Sequence, residues 1–385
     1  MVPEEKMTTS YTVNDLFCGC GGIGLGFKQA GYITTGAWDI DKYAVMSYKE
    51  NVDDIATQAD ITKMTYKDLP KADVWTFGFP CQDLSVAGTQ EGLFRGKRSG
   101  LFFEVMRLLD ETRGYAPENL PAVIMAENVK GLKKYLSVLE EEYIKRGYKY
   151  YCTLYNSKYW YVPQNRERYF IIGVRDDIKK EFVFPTEQHD FVPALSTMLE
   201  KEVDEKYYIA DDKAQAVIEQ VYKNYSPTLR SRQGQKVIQA IDHSIDVIGR
   251  LNMKSNDCNR RVYNPTGISP TLTTSQGGNT QPKIIDYTKY RVRKLTPTEY
   301  GRLQGFPMDT WKQVVSDNQA YKQFGNAVTV TIAKALAAAI KGTISHKVRR
   351  GHASKEKNVE WTAVARADSQ KGRRNMMRYI LYILR

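Results

Sequence analysis

The first 175 residues alternate short apolar runs with segments of helical period. "YTVNDLF", "YITTGAWD", "IATQADIT", "DVWTFG", "PAVIMAEN" and "RYFIIGV" read as strands; "IGLGFKQAG", "KYAVMSYKEN", "LFFEVMRLLDETR" and "LSVLEEEYIKRG" read as helices. This alternation predicts an α/β domain with a mostly parallel sheet, helices on both faces and ligands at the carboxyl ends of the strands. After "FVFPTE" the pattern changes. Lys201 to Val221 reads as a charged helix, and Ser226 to Tyr290 is rich in Ser, Thr, Gly, Asn and Pro, which predicts a smaller, irregular, β-rich domain. Within it "YSPTLRSRQGQKVI" (225–238) is echoed by "ISPTLTTSQGGNTQPKI" (268–284), as duplicated binding loops would be. Helical period returns at "TPTEYGRLQGF" and "NAVTVTIAKALAAAIKG", the last of these apolar enough to pack back onto the first domain. The expected division is 1–186 completed by 320–341, then 187–290, an organising segment 291–319, and a tail 342–385.

Composition narrows the class. A chain of 385 residues, 42% apolar and 26% charged, has material for two domains with sizeable cores. No run of about eighteen apolar residues occurs, and "MVPEEKMTTS" lacks the apolar centre of a signal peptide, so a cytoplasmic protein is expected. Five scattered cysteines, Cys18, Cys20, Cys81, Cys152 and Cys258, include no C-x-x-C pair, which argues against a disulfide framework and a zinc site. The net charge of +12 suits a polyanion, but residues 342–385 hold +8 of it, eleven Lys/Arg against three Asp/Glu. Ser226 to Tyr290, with nine basic and four acidic residues, is the better candidate for a nucleic-acid surface.

Candidate chemistry collects at the predicted strand ends. "DLFCGCGGIGLGF" sets Gly19, Gly21 and Gly24 between a strand and a helix, and Asp39 ends the next strand; this suits a ligand carrying adenosine, whether a nicotinamide dinucleotide or S-adenosylmethionine. Asp60 could accept from an adenine amino group, or simply cap the turn after it. In "GFPCQDLS", Pro80 stiffens the chain and aims Cys81 outward. A thiol with an ordinary pKa near 8.5 needs a positive neighbour or an activated substrate to act as a nucleophile. Glu127 closes "PAVIMAE", where burial would keep it protonated and able to donate to a ring nitrogen. Arg166 and Arg168, two apart in "QNRERYFIIGV", fall on one side of an extended chain and could hold a carbonyl oxygen, a carboxylate or a phosphate.

In these blocks, together with "WDIDKYA", "ADIT", "RKLTPTEYGRLQGFP" and "QFGNAVTV", the chain resembles the cytosine-5 DNA methyltransferases of bacteria and phages over Asp15 to about Val330. The resemblance implies a Rossmann-like, S-adenosylmethionine-dependent catalytic domain, which releases S-adenosylhomocysteine, and a target recognition domain. It implies that a cytosine is flipped out of duplex DNA, that Cys81 attacks carbon 6, and that Glu127 holds ring nitrogen 3 and the amino group. Arg168, beside Arg166, would hold the ring carbonyl oxygen. Phe17, Gly19, Cys20, Gly21, Gly22, Asp39, Ile40, Asp60, Phe79, Pro80, Asn326 and Val328 would line the cofactor pocket. Gln82, Ser85 and Arg98, on the loop after the nucleophile, would touch DNA with Arg166. Thr228, Arg230, Arg232, Arg260, Arg261, Thr271 and Leu272 would read the target or support the loops that do. At the ribose position the family more often has glutamate, and Asp39 is one methylene shorter. A monomer is expected, with a cognate restriction endonuclease as a functional partner and no membrane. Three rivals stand beside this reading: a regulator of the same fold that no longer catalyses, an RNA cytosine methyltransferase, and an oxidoreductase resting on the glycine turn alone.

Overall fold

The computed structural model describes residues 10–79, 100–224, 244–275 and 280–345. The larger sheet contains β1 (Tyr11–Leu16), β2 (Tyr32–Asp39), β3 (Ala56–Gln58), β4 (Val74–Phe77), β5 (Val123–Val129), β6 (Tyr148–Asn156) and β7 (Glu167–Arg175). Their order is β3-β2-β1-β4-β5-β7-β6. β1 to β5 are mutually parallel, whereas β7 runs antiparallel to both β5 and β6. Among the predicted strands β6 is missing. Its sequence, YKYYCTLYN, lies at an edge with mostly half-buried residues, so no two-residue apolar alternation marks it.

Helices α1 (Gly22–Gln29), α2 (Lys42–Asn51), α3 (Leu101–Tyr115) and α4 (Leu136–Lys145) link the strands. Successive side chains of a strand point to opposite faces, and β5 feeds two cores accordingly. Ile124 and Ala126 join Phe102, Val105 and Leu109 of α3 and Tyr143 of α4 on one face. Val123 and Met125 join Ile23 and Phe27 of α1 on the other, with Ile332, Leu336 and Ile340 of a C-terminal helix.

A second sheet, β11-β10-β9-β8, is built from β8 (Val247–Arg250), β9 (Arg261–Tyr263), β10 (Lys283–Asp286) and β11 (Arg291–Lys294). Helix α5 (Asp211–Asn224) lays Ala214 and Val217 against Val262, Ile285 and Val292 of this sheet. It begins ten residues later than the predicted helix from Lys201. Tyr208 bridges to Arg293 and Ile209 N–H donates to Val292 O, so these residues are held extended along β11 instead. β11 also carries the small sheet past the expected boundary at 290. "RVRK" holds three basic residues, yet Arg293 is buried and paired with Glu299.

The Arg293–Glu299 pair fastens the small sheet to the C-terminal helices. After α6 (Asp257–Arg260) these are α7 (Pro297–Leu303), α8 (Asp317–Asn326) and α9 (Val330–Ile344). Thr296 and Glu299 form a capping box at the start of α7. Glu299 accepts from Arg293 Nη2 at 2.7 Å and Nη1 at 2.8 Å, and from the Glu200 N–H at 2.9 Å. Removing one partner of a buried pair strands the other charge. Glu299→Ala is therefore expected to cost about 3–5 kcal/mol, seen as a lowered urea midpoint with the fold otherwise retained.

Candidate active site

A cleft of about 650 Å³ opens at the carboxyl ends of β1, β2, β4 and β5. It is walled by the turn after β1, by Trp38 to Asp41, by Ala59 to Ile61, by Gly78 and Phe79, and by Glu127 to Val129. The amino end of β7 and residues Lys322 to Val328 complete it. A volume in the range of roughly 300–1,000 Å³ suits a small-molecule cofactor.

The turn is shaped by what glycine lacks. Gly21 adopts φ +101° as the residue preceding α1, and Gly19 has φ +55°, conformations that disfavour side chains. A Cβ on Gly22 would stand 2.3 Å from Val328 O, and one on Gly26 would stand 2.6 Å from Ala333 Cβ. Segments far apart in the chain thus meet with no room for a side chain at either glycine. Asp39 braces the turn from the front. Its Oδ2 accepts the Gly19 N–H at 2.9 Å and its Oδ1 the Asp41 N–H at 2.8 Å, and a carboxylate oxygen can accept more than one hydrogen bond. Burial raises the Asp39 pKa against those two hydrogen bonds. Phe17, in the left-handed region at φ +55°, and the exposed Ile40 also line the cleft. Asp60 lines it as well, and caps a 3-10 turn through the Thr62 N–H, the capping expected of it.

Across the cleft stands the candidate chemistry. Glu127 is buried, and burial raises its pKa despite the opposing charges of Arg168 and Arg166. Arg168 Nε lies 3.2 Å from Glu127 Oε1, but the N–H is not directed at that oxygen: the two form an ion pair without a hydrogen bond. The antiparallel register explains their meeting. Phe170 lies opposite Glu127, so Arg168, two residues earlier, is its diagonal neighbour on the same face. A Cβ on Gly78 would lie 3.6 Å from Glu127 Oε2. Asn128 Nδ2 donates to Phe79 O at 3.0 Å, fixing the buried end of the chain that leads to Cys81.

Pro80, Cys81, Gln82, Ser85, Arg98, Thr228, Arg230 and Arg232 lie outside the described residues. Cys18 and Cys20 line the cleft, but burial pushes the Cys20 thiol up to about 12 and the Cys18 thiol well above its usual value. Neither is suited to supply a thiolate.

Arg166 and Arg168 both line the cleft, as their spacing on one side of the chain predicts, but their guanidinium groups are engaged differently. Arg166 precedes β7, is buried, and donates from Nη2 to Ala327 O at 2.9 Å and from Nη1 to Leu272 O at 3.4 Å. Leu272 is likewise buried, in a core with Tyr300 and Phe324, so it supports its loop instead of presenting a side chain. Thr271 is exposed, and its hydroxyl donates to Asn165 O. Arg260 Nε donates to Leu251 O at 3.0 Å, and Arg261 pairs with Asp257 at 2.6 Å, so both are engaged within the small domain.

Asn128, which lines the cleft, and Asp15, buried beneath the glycine turn, escape sequence reasoning. Asn128 stands in the block "AENV", but its backbone-holding role has no sequence signature. Asp15, fully buried at the end of β1, accepts from Thr76 Oγ1 at 2.8 Å. Burial raises its pKa to about 7.

Comparison with known proteins agrees with this geometry. A family model described as C-5 cytosine-specific DNA methylase matches residues 11–342. The type II methyltransferase M.NlaX of Neisseria lactamica is 33% identical over 343 residues, covering 87% of this chain and 97% of its own. M.Bsp6I of Bacillus sp. (strain RFL6) is 32% identical, covering 84% and 96%. The orphan methyltransferase M.SPBetaI of Bacillus phage SPbeta is 29% identical, again covering 84% and 96%. In three dimensions the S. pombe Dnmt2 methyltransferase has a TM-score of 0.61 at 19% identity, over 86% of this chain and 98% of that one. The Entamoeba histolytica methyltransferase EhMeth reaches 0.64 at 17%, over 87% and 99%. These two show the shared fold. The chain belongs to the C-5 cytosine-specific DNA methylase family, and its activity is DNA (cytosine-5) methyl transfer. Among the described residues no single helix is long and apolar enough to cross a membrane.

Asp15 gives this site a pH signature. Its folded-state pKa of about 7 lies above the ordinary 3.8, so the folded state holds the proton more tightly. The stability contributed by neutral Asp15 is full below about pH 4 and is lost as pH rises towards 7. Asp15→Asn is expected to remove that loss and to exceed the native chain at pH 8 by at most ~4 kcal/mol, measured by denaturant unfolding at several pH values.

Proposed function

We propose that the chain is a sequence-specific methyltransferase that uses S-adenosylmethionine and acts on a cytosine flipped from duplex DNA, through a covalent bond to Cys81. The observation that carries the reading is the buried Glu127, its pKa raised by burial, 3.2 Å from Arg168 and beside Gly78, three residues before Cys81. The residues present fit the cofactor: the cleft has an apolar shelf of Phe17, Ile61 and Met64, the carboxylates Asp39 and Asp60, and a backbone cradle at Gly19 to Gly22. When bound, S-adenosylmethionine supplies an electrophilic methyl group and leaves as S-adenosylhomocysteine.

The chain's own residues prepare the cytosine. Protonated Glu127 donates to ring nitrogen 3 and accepts from the amino group, while Arg168 holds the ring carbonyl oxygen. Withdrawing electrons in this way lets the Cys81 thiolate form a bond to carbon 6, and the displaced pair makes carbon 5 nucleophilic. After methyl transfer, loss of the carbon 5 proton to a base restores the double bond and breaks the bond to sulfur, returning the thiolate. Recognition is assigned to residues 187–290, with the loop around Thr271 on the DNA side. A cognate restriction endonuclease would act on the same sequence as a separate protein.

The test is to incubate the chain with S-adenosylmethionine and a mixed-sequence duplex, then map 5-methylcytosine by context. Methylation confined to one short context is expected; its absence in every context sinks the reading. Cys81→Ala should abolish transfer while still binding S-adenosylmethionine in calorimetry, and Glu127→Gln should slow transfer by about 10²- to 10⁴-fold. Retained turnover in Cys81→Ala would exclude the covalent route.

A further inference from the structure

Arg166 stands at the junction of two segments that serve different ligands. On one side is the loop carrying the second S-P-T-L, Ser269 to Leu272, which is stitched to the chain just before Arg166. Ser269 N–H donates to Pro163 O at 2.7 Å, Asn165 N–H donates to Ser269 O at 2.9 Å, and Leu272 N–H donates to Gln164 Oε1 at 3.1 Å. On the other side is the turn Asn326 to Val328, which walls the cofactor cleft. The guanidinium reaches Leu272 O with one nitrogen and Ala327 O with another. Gln304 Nε2 supports the same turn through Phe324 O at 2.8 Å and Ala327 O at 3.2 Å.

Contact continues beyond the guanidinium in both directions. Val328 O lies against Gly22, at the base of the cofactor turn, with no room for a side chain between them. Thr273 O lies against Gly325 in the same manner, 2.2 Å from where a Cβ would be. Close-packed backbone of this kind transmits displacement, because it has no soft side chain to absorb it. Arg166 is also one of two positive charges that lower the pKa of Glu127.

We propose that Arg166 is a positioning residue that couples the two ligand sites, so that DNA seated against the Ser269–Leu272 loop and cofactor seated against the Asn326–Val328 turn each raise affinity for the other. This rests on the proposed use of S-adenosylmethionine and duplex DNA. Coupling of this type is reciprocal: the factor by which DNA tightens cofactor binding equals the factor by which cofactor tightens DNA binding.

The experiment measures S-adenosylhomocysteine binding to the full chain by calorimetry, with and without saturating duplex carrying the mapped methylation context. Duplex is expected to tighten binding at least about fivefold in the native chain. In Arg166→Lys, whose single ammonium cannot span two diverging carbonyls, that ratio should fall towards one. A merely structural contribution would weaken both affinities and leave the ratio intact. Arg166→Gln gives a second variant, since a single amide cannot span both Leu272 O and Ala327 O; it too should lose the ratio, and it decides the matter if Arg166→Lys does not fold. A ratio of one in the native chain, or a native ratio in a folded variant, overturns the coupling. Absence of methylation in every context fails the functional reading instead, so the two failures are distinguishable.

Discussion

Backbone meeting backbone at Gly22 and Val328 is the constraint on which the cleft depends. Any side chain at Gly22 would occupy the space of the Val328 carbonyl, and α9 could not then lie against α1. Tyr32 reinforces the same seam, its hydroxyl donating to Ala337 O across a separation of 305 residues. The glycine-rich turn is therefore two things at once. Its front accommodates a ligand through conformations that side chains disfavour, and its back is the socket for a C-terminal helix. Sequence patterns of the strand–glycine–helix kind advertise only the first of these roles.

The reversal of β7 is the second determinant of the site. In a wholly parallel sheet every strand delivers its carboxyl end to the cleft, and a residue at the beginning of a strand would face the opposite edge. Because β7 runs the other way, its first residues arrive beside the last residues of β5. Two charges of opposite sign are brought together in this way, yet burial outweighs both arginines and the carboxyl of Glu127 keeps a raised pKa. The outcome is a buried carboxyl whose pKa stays raised although a guanidinium stands 3.2 Å away.

Much of this is legible in the residue pattern. β1, β2, β4, β5 and α1 to α4 announce themselves through strong periodicity, and Asp39 and Glu127 stand at strand ends where the pattern breaks. β6 is hidden because an edge strand of tyrosines has no buried face to alternate. β11 is hidden because "RVRK" holds three basic residues, and it is Glu299, six residues on, that neutralises Arg293. Arg166 presents a subtler difficulty: two arginines two residues apart look equivalent on an extended chain, but the first precedes the strand and its guanidinium is met by carbonyls from distant segments. Asp15 escapes for a related reason, since a carboxylate beside a glycine-rich turn gives no sign in sequence of being sealed from water. What local pattern omits, in each case, is a partner far away in the chain.

The seam between α1 and α9 also has a temporal meaning. The first five strands can pair soon after they emerge from the ribosome, but the wall of the cleft formed by Asn326 to Val328 is synthesised last among the described parts of the site. At roughly 5–20 residues per second, some 300 residues separate the two halves of the seam by about 15 to 60 s. During that interval the nascent chain carries the glycine turn without its closing wall. The order of synthesis thus leaves the cleft without this wall until nearly all of the region shared with the family has been made.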